Sequence, residues 1–395
     1  MNGEASMASG TQSIVRTRSF KGYLSPAGHR NLGDCLDQLT WLWNLALDQR
    51  KTAWTEREES VSYYDQCKQL TALRRRDPAK WDRFAVYAQR SALQRLDRAY
   101  KRFFAQGGYP RFKGERGVRS FELTQFGMVR TNGRWSWLKV KGIGRIRFRG
   151  DPPGGDIRAV RVVRTARRVR VQFVVEQEVP AVTDDRPMVG IDLGIKSRVA
   201  LSTGETAPGV KLDRRELKRR QRRLAKAKRG GRNRGKRRAE LAREHQRVAE
   251  RERGALHELT ANLVKRVSAS FAVEDLQIGN MVRNRRLSRS IHEQQWGALI
   301  GMLAYKAESA GGRVVRVAPH HTSQECSGCG QRQAVSLSVR VYRCGCGLVM
   351  DRDVNAARNV LQRGVASLPG GADPGRAEQA DQAGEVVTQV LRKAG

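Results

Sequence analysis

A multidomain chain combining α/β and all-β parts is predicted, and three observations predict it. At 395 residues the chain exceeds what one ordinary hydrophobic core organises. Hydrophobic spacing is helical from about residue 28 to 104, then switches to a period of two between residues 120 and 179. Beyond residue 187, strand and helix patterns alternate, the signature of an α/β sheet.

The elements follow in chain order. Residues 1–10 are small and polar and read as a disordered N-terminus. Ile14 to Tyr23 reads as a first strand. Leu32, Leu36, Leu39, Trp43 and Leu47, then Leu93, Leu96, Tyr100 and Phe103, recur every three or four residues, so helices are expected, broken at Asp77-Pro78. Trp41, Trp43, Tyr100, Phe103 and Phe104 share this spacing and are read as core rather than as base-stacking platforms. Gly107-Gly108-Tyr109-Pro110 ends the helices, and Asn132-Gly133 marks a hairpin. Val169, Val171, Phe173 and Val175 then alternate with Arg170, Gln172 and Val174, one of several short strands expected to form a sandwich or barrel. Its polar face carries Arg161, Arg164, Arg167, Arg168 and Arg170, either solvated or facing nucleic acid.

Thr183 to Pro187 reads as a linker. Two strands follow, Met188–Asp192 and Ser197–Ser202. Residues 211–240 hold sixteen Lys or Arg and read as a basic helical arm interrupted at Gly230-Gly231, a solvated or nucleic-acid-facing feature. Leu256, Leu259 and Leu263 lead through a helix into the strand that ends at Glu274. Trp296, Leu299, Ile300 and Leu303 line one face of a further helix, Gly311-Gly312 stops it, and Val314, Val315 and Val317 form another strand. Beyond Leu368 a Gly/Ala/Asp/Gln-rich tail is expected to be disordered, with a short helix near Val386 to Leu391.

Charge narrows the function. Lys and Arg number 76 against 39 acidic residues, a net charge of +37, which calls for a polyanionic partner, nucleic acid by default. No run approaches the roughly 18 apolar residues of a transmembrane helix, and Met1 to Gly10 lacks the apolar stretch of a signal peptide. A cytoplasmic, nucleoid-associated prokaryotic protein without a membrane partner is expected. Four of the six cysteines cluster, which favours metal over disulfides.

Three separated carboxylates carry the candidate chemistry. Asp192 ends the apolar run Met188-Val189-Gly190-Ile191, where a buried acid is costly unless paired, metal-bound or satisfied by backbone amides. Glu274 continues Phe271-Ala272-Val273, while Asp275 points to the opposite strand face and suits the following turn. In a helix starting near Arg352, Asp353 shares an apolar face with Ala356, Ala357 and Val360. Asp351 falls with Asn355 and Arg358 on a polar face or acts as the N-cap. Magnesium takes such carboxylates together with substrate phosphate.

Cys326-Ser327-Gly328-Cys329 and, after fourteen intervening residues, Cys344-Gly345-Cys346-Gly347 can enclose one tetrahedral zinc, although the second pair is C-x-C rather than C-x-x-C. His320 and His321 are candidate substitute ligands but are read rather as surface or DNA-facing residues. Cys35 and Cys67 read as ordinary buried thiols. Tyr109-Pro110-Arg111-Phe112-Lys113, a rigid turn flanked by cations, suits backbone phosphates, which brings in Arg111 and Lys113.

These residues together carry a resemblance. The sequence resembles the TnpB family of transposon-encoded nucleases, compact relatives of type V CRISPR effectors. The matching pieces are Gly108-Tyr109-Pro110-Arg111-Phe112-Lys113, Gly190-Ile191-Asp192-Leu193-Gly194-Ile195-Lys196-Ser197 and Val273-Glu274-Asp275-Leu276. Asn284-Arg285-Arg286-Leu287-Ser288-Arg289-Ser290-Ile291, Trp296-Gly297, the cysteine ribbon and Asp351-Arg352-Asp353-Val354-Asn355-Ala356-Ala357-Arg358-Asn359 follow in the same order. The agreement runs from about residue 105 to 363, with a looser fit through Trp43-Asn44-Leu45-Ala46-Leu47 and the Leu93 to Phe104 helix.

The resemblance implies a ribonuclease-H-like RuvC nuclease domain over residues 187–320 and 350–366, interrupted by a zinc-ribbon insertion at 321–349. It implies an N-terminal wedge β-barrel, residues 11–27 and 106–182, with a helical recognition lobe, 28–105, inserted in it, and leaves 367–395 as tail. Asp192, Glu274 and Asp353 become the catalytic, magnesium-binding triad, with two ions, and Cys326, Cys329, Cys344 and Cys346 bind one structural zinc. The implied function is RNA-guided cleavage of double-stranded DNA beside a short adjacent motif at a single RuvC site. Guide RNA and target DNA are the partners, and Arg111, Lys113, Lys196, Arg285 and Arg286 are the nucleic-acid contacts. A CRISPR-associated effector and a nuclease-inactive RNA-guided regulator are the neighbouring readings; the latter kind loses triad residues, and none is lost here. The phosphate-binding turn of actin-like ATPases resembles Gly190 to Gly194, but no second Gly-flanked Asp strand or Gly-rich adenosine loop follows.

Overall fold

The computed structural model describes residues 11–114, 117–127, 130–180, 184–195, 197–209, 213–336 and 339–368. The expectations for residues 1–10, for the tail past 368 with its helix near Val386, and for Lys196 lie outside the described residues. The chain divides into two compact units, Ser13–Glu178 and the chain from Val179 onward.

The first unit opens with β1 (Thr11–Gly22) and four helices, α1 (Pro26–Arg57), α2 (Tyr63–Arg76), α3 (Pro78–Trp81) and α4 (Val86–Gln106). Proline at the first turn of α1 and the Ser25 side chain, which accepts the Gly28 N–H at 3.1 Å, fix its start. Ser62 and Asp65 form a reciprocal capping box on α2. Asp77 ends α2, and its side chain accepts the Lys80 N–H at the start of α3, so the Asp77-Pro78 break is one residue serving two helix ends. Six strands follow: β2 (Ser120–Leu123), β3 (Arg130–Thr131), β4 (Trp135–Val140), β5 (Gly144–Arg149), β6 (Asp156–Arg164) and β7 (Val169–Pro180).

They form one sheet ordered β1-β7-β6-β2 and a second ordered β3-β4-β5. Reciprocal backbone hydrogen bonds between Tyr23 and Arg147, 2.7 and 2.9 Å, join the two. Asn132-Gly133 does turn the β3–β4 hairpin, with Gly133 at φ +83°. The helix stripes Leu32 to Leu47 and Leu93 to Leu96 share one core with Phe121, Phe148 and Phe173 of the strands. On the polar face of the strands, Arg161 pairs with Glu122 at 2.6 Å, and Arg158 pairs with Glu176.

Two aromatics depart from the core expectation: Trp41 is 47% exposed and Phe104 is 79% exposed. Trp41 falls off the stripe that buries Leu39, Leu42 and Trp43, and Phe104 lies two turns beyond Leu96, the last buried residue of α4.

In the second unit the described part of the expected linker, Asp184 to Pro187, is more than a linker. Asp184 donates its backbone N–H to the Gly311 carbonyl at 3.0 Å, and its side chain accepts the Ala269 N–H at 2.7 Å. The strands are β8 (Val189–Asp192), β9 (Ser197–Leu201), β10 (Thr206–Pro208), β11 (Phe271–Glu274) and β12 (Val314–Val317), followed by the short pair β13 (Val341–Arg343) and β14 (Val349–Asp351). The helices are α5 (Arg215–Ala225), α6 (Arg232–Asn262) with a π-helical last turn at Leu263–Val267, α7 (Ile278–Met281), α8 (Ser288–Gln294), α9 (Trp296–Ser309) and α10 (Arg352–Ala366).

The basic arm is thus a helical hairpin. Arg220 of α5 reaches Glu240 of α6 at 3.2 Å, and Arg234 donates to the carbonyls of Leu224 and Ala227 at 3.2 and 2.6 Å. No helix among the described residues is long and apolar enough to cross a membrane.

The main sheet is ordered β10-β9-β8-β11-β12. β10, β9 and β8 pair antiparallel, whereas β8, β11 and β12 run parallel. Strand alternation sends Val189, Ile191, Phe271 and Val273 into a core with Leu256, Leu259, Leu299 and Leu303 of α6 and α9. The opposite face, Gly190 and Ala272, lies under α10. A Cβ on Gly190 would stand 2.1 Å from the Ala357 carbonyl oxygen, and one on Gly364 of α10 would stand 2.4 Å from the Ala272 Cβ. Small residues therefore let α10 lie directly on β8 and β11. Gly190→Ala should cost about 3 kcal/mol or more, since backbone rather than a flexible side chain must yield. Denaturant unfolding checks this, and a shift under about 0.5 kcal/mol would contradict it.

Candidate metal centre

Ile191 pairs with Val273 across the parallel strands β8 and β11, so the next residues, Asp192 and Glu274, leave the sheet side by side. They emerge at the carboxyl edge, where open α/β sheets place ligands. Alternation puts both on the face shared with Gly190 and Ala272, under α10. The third carboxylate comes from α10 itself. Asp351 is its N-cap, with Oδ1 accepting the N–H groups of Asp353 at 2.8 Å and Val354 at 3.3 Å. Capping occupies Asp351 and leaves Asp353 in the first turn, free of that duty. In the β8–β9 turn, a Cβ on Gly194 would lie 3.9 Å from Asp353 Oδ2, so this turn runs past the same carboxylate.

Burial, reinforced by the charges of Glu274 and Asp353, holds the Asp192 carboxyl well above the usual range; Arg352 and the Leu193 backbone N–H oppose this. Burial also raises Glu274, against a hydrogen bond from Thr322 and the charge of Arg363. Thr322 Oγ1 donates to Glu274 Oε1 at 2.5 Å. The guanidinium groups of Arg352 and Arg340 stand 3.6 and 3.9 Å from Asp353, too far for hydrogen bonds. Asp275, by contrast, points away to a half-exposed pair with Arg316 at 3.1 Å.

Three crowded acids, Glu274 buried and Asp192 and Asp353 partly so, are expensive for the fold with so few donors. A hard divalent cation would relieve that cost, and the donor set, all carboxylate oxygen, is the one magnesium takes. Among the described residues only the four cysteines bring three or more ligand atoms within 4.8 Å of one another.

The four cysteines converge despite the short second pair. Cys326 and Cys346 Sγ are 3.7 Å apart, and Cys329 and Cys344 Sγ are 3.6 Å apart. A zinc–sulfur bond of about 2.3 Å in a tetrahedron requires sulfurs about 3.8 Å apart, so the cluster fits that ion. Gly347, at φ +94°, closes the turn that lets Cys344-Gly345-Cys346 reach, with its N–H on the Cys344 carbonyl at 3.0 Å. His321 is not a substitute ligand: its Nδ1 engages Arg332 at 2.7 Å and Gln324 at 3.1 Å. Burial raises the Cys35 thiol to about 12, as expected of an inert core cysteine.

The structure corrects one face assignment. Asn355 is fully buried, not on a polar face; it accepts the Ser327 N–H at 2.9 Å and donates to the Glu325 carbonyl at 2.7 Å. Sequence reasoning missed this residue, Asn359, Arg363 and Thr322. The available signal was a pair of asparagines at i, i+4 inside a helix, where poor helix formers need a reason to be present.

Of the expected nucleic-acid contacts, Arg111 and Lys113 are exposed on a segment whose backbone is anchored to α1. Trp43 Nε1 donates to the Arg111 carbonyl at 3.1 Å, and Asn44 makes two bonds to the Lys113 backbone at 3.0 and 2.7 Å. Arg285 and Arg286 are exposed in the turn between α7 and α8.

Comparison with known proteins adds the following. The family model OrfB_IS605, described as "Probable transposase", matches residues 172–285, and a Cas12f1-like TNB domain matches residues 296–360. A Streptomyces pristinaespiralis protein named "Putative RNA-guided DNA endonuclease" is 33% identical over 366 residues, 90% of this chain and 91% of that protein. The Escherichia coli K12 protein of the same description, InsQ, is 30% identical over 386 residues, 90% of this chain and 94% of that one. Among solved structures, the Cas12f1 chain of a Cas12f1–sgRNA–target DNA complex aligns with a TM-score of 0.53 at 13% identity, covering 88% of this chain and 99% of that one. The likeness to that structure is one of fold.

Proposed function

Because the chain belongs to the TnpB family, related to the compact type V CRISPR effectors, we propose that it is an RNA-guided DNA endonuclease whose chemistry resides at Asp192, Glu274 and Asp353. One observation carries the assignment: three acids from β8, β11 and α10, far apart in sequence, meet under a single helix and raise the Asp192 carboxyl by burial and mutual repulsion. The strand order with its antiparallel-to-parallel switch supports reading this unit as a ribonuclease-H-like RuvC domain. The insert at 321–349, with its four converging sulfurs, supports a zinc ribbon. The two bridged sheets of the first unit are read as a wedge barrel over 11–27 and 106–182, and its helices over 28–105 as a recognition lobe.

Asp192, Glu274 and Asp353 would hold two magnesium ions, and four cysteines would hold one zinc. Bound magnesium supplies an activated water and stabilises the leaving oxygen of an in-line phosphodiester displacement. The carboxylates contribute by being ionised and fixed: the sheet edge sets Asp192 and Glu274, and the Asp351 cap sets Asp353. Sequence readout is delegated to base pairing between guide and target, and the protein itself need only grip backbone and read a short adjacent duplex motif. Arg111, Lys113, Arg285 and Arg286, all exposed, are suited to the gripping.

The reading requires salt-sensitive binding. Affinity for guide RNA should fall about 10³-fold or more between 50 and 200 mM salt. Filter binding measures this, and a flat response would contradict the basic-surface assignment. Sequencing the RNA that co-purifies with the protein identifies the guide segment; recovery of only random cellular RNA would count against guidance.

A further inference from the structure

We propose that Thr322 is a positioning residue for Glu274, so that the root of the cysteine-bearing insert sets the geometry of the carboxylate site. The proposal rests on the nuclease reading above and deepens it.

Thr322 is 4% exposed and is held at both ends. Its hydroxyl donates to Glu274 Oε1 at 2.5 Å, and its carbonyl accepts from Asn359 Nδ2 at 2.8 Å. The surrounding loop is clamped by the same helix that carries Asp353. Asn359 and Asn355 both donate to the Glu325 carbonyl at 2.7 Å, and Asn355 accepts the Ser327 N–H at 2.9 Å. Arg363 donates to the carbonyls of Ala318 at 3.0 Å and His320 at 2.6 Å. The turn that presents Thr322 places His321 at φ +62°, the left-handed region that non-glycine residues avoid, with the N–H groups of Gln324 and Glu325 on its carbonyl at 2.9 and 3.0 Å.

The physical role follows from what a glutamate lacks. Its terminal carboxylate torsion is broad, so the side chain alone does not fix where its oxygens point. A buried hydroxyl has one hydrogen to give, and here it goes to Oε1, which leaves Oε2 for a cation. α10 thus carries one acid of the site and, through three clamping side chains, the loop that orients another. The first cysteine, Cys326, follows Thr322 by four residues, so the knuckle and the carboxylate site share this loop.

The test compares Thr322→Val, which keeps the shape and removes the donor, with Thr322→Ser, which restores it. Manganese titration of each full-length protein, followed by electron paramagnetic resonance, reads cation affinity without reference to activity. Thr322→Val is expected to weaken manganese binding by about 10- to 100-fold, and Thr322→Ser to recover most of it. Cleavage by Thr322→Val should be regained at high manganese, with guide-RNA binding unchanged. Unaltered manganese affinity in Thr322→Val would overturn the proposal. So would equal impairment in both variants, which would make the residue a packing element only. Asp192→Ala is the control for the underlying reading: if it too binds manganese like the wild type, the carboxylate site itself is wrong and the proposal falls with it.

Discussion

Asp192→Ala should abolish magnesium-dependent cleavage, by at least about 10³-fold, while guide-RNA binding persists. Asp192 is the acid that feels both of the others: Glu274 and Asp353 each raise its carboxyl, in addition to its burial. Its loss leaves two acids that no longer share a central partner. The exposed cations Arg111, Lys113, Arg285 and Arg286 are untouched, so the grip on nucleic acid should be too.

The same substitution has a stability signature of known sign. A carboxyl raised in the folded state contributes stability that is present below its unfolded pKa and lost as pH rises through its folded pKa. Without metal, the wild-type protein should therefore lose stability as pH climbs through the raised pKa values of Asp192 and Glu274. Asp192→Ala should flatten that loss, and magnesium should stabilise the wild type most at neutral pH. Thermal melts at pH 5 and pH 8 with and without magnesium read both effects. Full cleavage by Asp192→Ala would remove it from the site.

The second large effect is expected at the cysteines. Cys346→Ser should take bound zinc from about one ion per chain to well below one and expose residues 321–349 to proteolysis. Structural zinc contributes about 10–16 kcal/mol to folding in isolated zinc-finger peptides, and this insert has little core of its own. Tyr342 and Cys326 are its fully buried residues among those described between 323 and 351. Because Thr322 and Cys326 share a loop, cleavage should fall as well. Zinc content by plasma spectrometry and limited proteolysis measure the outcome. A zinc-free variant that resists protease like the wild type would show that the four thiols do not need the metal.

Much of this was legible in the sequence because the fold uses local signals there. Asp77-Pro78, Asn132-Gly133 and Asp351 each announce an element end by their own chemistry, and each does so in the structure. The choice of Glu274 over Asp275 needed only strand alternation, and their burial differs accordingly. What was not legible depends on partners distant in the chain. Asn355 looked polar because a helical wheel knows nothing of the loop at 322–327 that covers it. Trp41 looked buried because periodicity cannot tell the width of an apolar stripe. The C-x-C pair looked too short because spacing does not reveal that Gly347 adopts a positive φ.

In the proposed function, one RNA-programmed carboxylate site cuts DNA. The most direct measurement gives the purified protein two RNAs that differ only in the guide segment and a plasmid carrying both complementary sites, in magnesium and in EDTA. The cut should move with the guide, need magnesium, and disappear in Asp192→Ala. Cleavage at the same place with either guide, or in EDTA, would contradict that function.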